Sequence, residues 1–144
     1  MVTANSFNPD LNVTGSELWN SDFTEDKEIA LAVEKTLKEL IATLIPVIKY
    51  VDTEITPQFR GVVVANHEGA QLLLSRNGKW VRGLSDGRHE EDPAAWEKFV
   101  VSEIFEGLET AFTTAVEKKT KHLAAVEARR ELLTKVGALA RGDK

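Results

Sequence analysis

Gly83-Leu84-Ser85-Asp86-Gly87 carries the most familiar chemical pattern in this 144-residue chain. G-x-S-x-G is the spacing of a nucleophile elbow. There a serine sits on a sharp strand-to-helix turn, and a histidine and an acid from later loops activate its hydroxyl. The neighbouring residues do not supply that setting. The stretch follows an antiparallel hairpin pattern, the next helix signal waits until Pro93, and the chain is short for a hydrolase sheet. A glycine-rich exit loop is the better reading.

Asp86, His89 and Glu90 offer hard oxygen donors and an imidazole within five residues, which makes them weak candidates for a divalent cation. Neighbouring residues do not all turn toward one ion, and the spacing matches no calcium loop. The acidic run Glu90-Glu91-Asp92 is better explained by the positive end of a following helix. His67-Glu68 has the residue types of an acid–base pair, but a hairpin tip lacks the desolvation that tunes one. No two histidines have zinc-like i,i+4 spacing, and no glycine-rich loop resembles a phosphate cradle. The absence of cysteine removes disulfides, thiolate metal sites and thiol nucleophiles. No catalytic residue, metal or cofactor is therefore assigned, and the chain reads as non-enzymatic.

The elements that would position these residues are more legible. Residues 60–84 read as three antiparallel strands, Arg60–Asn66, Ala70–Arg76 and Lys79–Leu84, with Asn77-Gly78 as a type I′ hairpin turn. With a tight turn there, Ser75 opposes Trp80 and Leu74 opposes Val81. Val63, Leu72, Leu74 and Val81 then share one face, and Val62, Val64, Leu73 and Trp80 share the other. Both faces are apolar, so both are expected to be covered. The first strand, Gly61–Ala65, has neither charge nor proline, and such an edge is expected to pair with another chain or lie beneath residues 1–24.

Residues 25–51 repeat apolar side chains every three or four positions, from Ile29 and Val33 to Ile48, which predicts a helix with one buried face. Pro46 should kink it near Ala42–Leu44, or end it there. Asp92-Pro93 predicts the start of a last helix running to residue 140. Its stripe, Phe105, Leu108, Phe112, Ala115, Lys119, Leu123, Val126, Arg130, Leu133, has a near-heptad rhythm. Unbroken, it would be about 70 Å long, some twice the width of so small a body. It should therefore break, at Gly107 or at Lys118–His122, or project. The fold class is α+β: a three-stranded antiparallel meander between a kinked N-terminal helix and a long, broken C-terminal helix. Residues 1–24, polar and marked by Asn8-Pro9, read as a flexible N-terminal arm, and residues 25–144 as one domain.

No N-terminal stretch joins basic residues to an apolar run, so no signal peptide is expected. The most apolar segment, Leu40–Ile48, is too short to span a bilayer, and a cytoplasmic protein without membrane contact is the expectation. Net charge is −5 but unevenly placed: residues 1–116 hold 10 Lys/Arg against 19 Asp/Glu, a net −9, and residues 117–144 hold 8 against 4, a net +4. An acidic body with a basic tail suits mutual complementarity, within one chain or between two copies. Tail-mediated nucleic-acid binding is the weaker option.

The functional expectation is an interaction or assembly protein, a homodimer or an adaptor for another protein. Its contacts are expected through Val62, Val64, Leu73 and Trp80, and through Phe112, Lys119, Leu123, Val126, Arg130 and Leu133. The alternative is a small-ligand or enzymatic domain with a pocket between sheet and helices near residues 85–92.

Overall fold

The computed structural model describes residues 11–140 and Gly142; Phe7 and the Asn8-Pro9 turn lie outside the described residues. The fold is α+β. Two N-terminal helices, α1 (Gly15–Trp19) and α2 (Thr24–Leu44), lead through a 3₁₀ turn (Ile45–Tyr50) into an antiparallel sheet. The strands are β1 (Thr53–Thr56), β2 (Phe59–His67), β3 (Ala70–Ser75), β4 (Trp80–Gly83) and β5 (His89–Glu91), in meander order. A second 3₁₀ turn (Ala95–Lys98) precedes α3 (Val101–Ala140).

The sheet has five strands where three were expected. β1 is only four residues long, Thr-Glu-Ile-Thr, and β5 is His-Glu-Glu, with no apolar residue. A polar β5 is a poor strand by propensity, but polarity is what keeps an edge from pairing onward. The anticipated bare edge of β2 is paired by β1 only as far as Gly61. Beyond it α3 closes on the strand: a Cβ on Gly107 would land on the Val64 carbonyl oxygen. Gly107 is thus a site of close approach, not a break.

The register also differs by one residue from the expected one. Leu74 pairs with Trp80 and Leu73 with Val81, because the β3–β4 loop has three residues, not two. Ser75 and Lys79 close it, Gly78 alone takes positive φ (87°), and the Ser75 hydroxyl accepts the Lys79 N–H at 2.9 Å. The loop with both central residues at positive φ is Glu68-Gly69 (49° and 82°), between His67 and Ala70. A bulge at Val64 adds a second shift, since Val63 pairs with Leu73 and Ala65 with Leu72.

A one-residue slip exchanges the faces of β3. Val62, Val64, Leu72, Leu74 and Trp80 enter one core with α2 and α3, while the row Val63, Leu73, Val81 runs along the opposite side. Both helices cover the same face. On the other, Leu73 is fully buried beside His89, whose ring tilts against Phe59 at 6.3 Å between centroids.

α2 buries Val33, Leu37, Ile41 and Leu44, and ends at Leu44, with Pro46 in the first turn of the 3₁₀ segment. Proline there lacks the N–H an α-helix would need and fits the tighter turn. The last helix starts at Val101, eight residues after Pro93. Asp92 instead closes a turn, accepting the Ala94 N–H on Oδ1 at 2.9 Å and the Ala95 N–H on its carbonyl at 3.0 Å. Phe99 is then extended and fully buried, and Val100 bridges to Thr14. α3 is continuous through Gly107 and Lys118–His122. Both expected breaks are absent, and the helix projects.

Residues 11–24, expected to be part of a flexible arm, are built into the fold. Thr14 caps α1 in a reciprocal box with Glu17, and Leu18 lies in the core. The Leu11 and Val13 carbonyls accept the Ser102 and Val101 N–H groups at 2.8 and 2.9 Å. Those donors have no partner within their own helix, so a segment about 90 residues earlier caps α3.

Candidate protein-interaction surface

The residues with chemical potential are held apart from one another. Asp86 accepts the Arg88 side chain (2.7 Å to Nε) and backbone N–H (3.1 Å), closing its own loop. Glu90 faces Arg82 across the β4–β5 pair at 3.4 Å, and His89 packs on Phe59. No group of three metal-binding side chains converges among the described residues. His67 and Glu68 lie 3.7 Å apart at an exposed tip, and His122 meets the Tyr50 ring at 5.8 Å. Val62, Val64, Leu73 and Trp80 were expected to contact a partner, but all are buried within the chain's own fold.

The other half of the expected surface is different. α3 has 40 residues, about 60 Å of helix. Val101, Ile104, Leu108 and Ala115 are buried against the body. The same helical rows then continue outward at seven-residue steps, Leu108, Ala115, His122, Arg129, Val136 in one and Phe112, Lys119, Val126, Leu133 in the next. Beyond Ala115 the apolar members lose their cover: Leu133 is 65% exposed and Val136 52%, and off these rows Leu123 and Leu139 are exposed as well. Single exposed leucines are ordinary on a surface; here Leu133 and Val136 continue a buried stripe as an uncovered apolar row.

Charge is sorted along the same helix. Residues 101–116 contain Glu103, Glu106 and Glu109 and no basic residue, whereas 117–140 hold six Lys/Arg against three Glu. Arg130 has Glu127 at 3.5 Å, an exposed pair of little energetic weight.

Beside the acidic half runs an open groove of about 580 Å³ between α3 and β2. Val63, 45% exposed, and Thr53 form its sheet side; Glu103, Glu106 and Lys118 form its helix side. Sequence reasoning missed these groove residues, because Val63 was assigned to a covered face and the glutamates of α3 carried no signal of their own.

Asp52 lies in the chain between the groove residues Val51 and Thr53. Its carboxylate is closed to solvent and accepts Arg76 Nε at 2.5 Å and Nη2 at 3.1 Å, with Arg60 Nε at 3.5 Å. Burial pushes this carboxyl up, but the hydrogen bonds and charges of Arg76 and Arg60 outweigh it and hold it below the usual carboxylate range. A second hollow, of about 560 Å³, lies between α2 and the β3–β4 hairpin. Leu37, Ile41, Trp80 and Trp96 form its floor, and Glu34, Lys79 and Glu91 stand around it.

No family model, curated protein or solved structure matches this chain. Among the described residues no helix is long and apolar enough to cross a membrane.

Proposed function

We propose that this chain is a non-enzymatic interaction and assembly protein that works as a homodimer, with the projecting half of α3 as its contact. The observation that carries the reading is the continuation of a buried helical stripe into 25 residues, Val116–Ala140, where Leu123, Leu133, Val136 and Leu139 are all more than half exposed. A helix without a packed face has little to stabilise it beyond propensity. A second surface on those leucines removes apolar area worth about 25 cal/mol per Å² from water.

Light scattering coupled to size exclusion tests this. At about 10 µM, ample for a dimer with a Kd near 1 µM, the wild type should run at twice 15.9 kDa. Val126→Asp and Leu133→Asp should run as monomers with unchanged near-ultraviolet circular dichroism. A monomeric wild type ends the reading.

The hollow between α2 and the hairpin favours a second reading, a small-ligand domain. Its floor is largely apolar with two tryptophans, and charged groups stand at its mouth. Of residues 85–92 it touches only Glu91. An extra mass retained in native mass spectrometry and lost in Trp96→Ala would favour it.

A further inference from the structure

Resting on the dimer reading above, we infer that two copies pair through α3 in antiparallel fashion, the basic distal half of each helix lying along the acidic proximal half and adjoining groove of the other. Three observations carry this. The first is the charge order within one unbroken helix: Glu103, Glu106 and Glu109 before residue 116, then Lys118, Lys119, Lys121, Arg129, Arg130 and Lys135 after it. Antiparallel pairing of two such helices sets acid against base at both ends, and parallel pairing sets like against like. The helix dipole does not account for this order, because its influence fades within the first and last turn while Lys118–Lys121 sit mid-helix.

The second observation is geometric. A continuous α3 cannot bend its distal half into the groove beside its own proximal half, so within one chain the basic half and the acidic groove stay apart. The third is the groove's chemistry. Val63 offers an apolar strip, and Glu103 and Glu106 line the helix wall ahead of Lys118, so the stretch before residue 116 presents acid beside apolar surface to a basic helix. Reciprocal seating closes the pair around a two-fold axis and leaves no open-ended chain of contacts. Pairing of two distal halves with each other is disfavoured, since it stacks basic rows on basic rows.

Sedimentation equilibrium of the full chain tests this with two charge-reversed variants, Glu103→Lys/Glu106→Lys and Arg129→Glu/Arg130→Glu. All four positions are on the surface of α3, so folding should survive, and far-ultraviolet circular dichroism checks that it does. Each variant alone should self-associate at least about tenfold more weakly than the wild type. An equimolar mixture of the two should form a 1:1 heterodimer close to wild-type affinity, because each basic surface again meets an acidic one. Dimers unaffected by either reversal overturn the antiparallel pairing while leaving the homodimer standing. Weakened variants that fail to combine also overturn it, and a monomeric wild type removes both.

Discussion

Asp52 and Glu97 are carboxylates displaced in opposite directions, and each makes its own prediction. Asp52 is held below the usual range by Arg76 and Arg60, against the push of burial. Its folded-state value lies below its unfolded one, so its contribution is present above about pH 4 and fades as pH falls through the lowered value. Asp52→Asn should lower the urea-unfolding stability at pH 7 by about 1 kcal/mol, a figure reduced because the two arginines are half exposed and rehydrate. The gap between variant and wild type should narrow as pH falls through the lowered value; a gap that is the same at every pH would mean the clasp is not electrostatic. Glu97 is raised by burial and by the charges of Glu34 and Asp92, with Lys98 partly opposing. Its protonation therefore favours the folded state, and stability falls as pH rises from about 4.5 through the raised value. Glu97→Gln should be the more stable protein at pH 7, by a small margin seen in the thermal midpoint.

At the scale of elements, the contact between α3 and β2 depends on the missing side chain of Gly107. Helix propensity alone would make Gly107→Ala stabilising by about 1 kcal/mol. The methyl group would meet the Val64 backbone, however, and overpacking of that kind costs about 1–3 kcal/mol or more. Net destabilisation is the expected outcome in chemical unfolding, and a gain would show that the helix slides freely on the strand. In the sequence, the central strands and the apolar face of α2 were legible because period-2 and period-3.6 patterns report burial directly. Register was not. Asn77-Gly78 reads as a two-residue turn, but Gly78 sits against Ile45, and the Ser75 hydroxyl draws Lys79 into the loop closure. The bulge at Val64 leaves no mark in a run of three valines. Polar β5 and four-residue β1 had too little apolar pattern to register.

For the whole molecule, the stripe on α3 was readable residue by residue, while its unbroken length and the groove beside β2 were not, since both depend on where Gly107 lands. The exposed distal half gives a further test. Trypsin has Lys118, Lys119, Lys121, Arg129, Arg130 and Lys135 available there, and in the antiparallel pair these sit along the partner's helix. Protection should rise with protein concentration across the dimerisation range. Cleavage at an unchanged rate from dilute to concentrated protein would count against any contact on this surface. The body, with its core in residues 18–115, should remain folded after the cut.

The strap formed by Leu11 and Val13 over the first turn of α3 has a consequence in time as well as space. During synthesis at about 5–20 residues per second, the strap emerges some 5–20 seconds before residues 101 and 102 exist to receive it. Leu18 and the inner face of α2 stay uncovered until the strands of residues 53–91 emerge, and α3 follows only after them. The nascent chain therefore carries its stickiest surface first and its cover last, with one of the longest sequence separations in the fold joining the two.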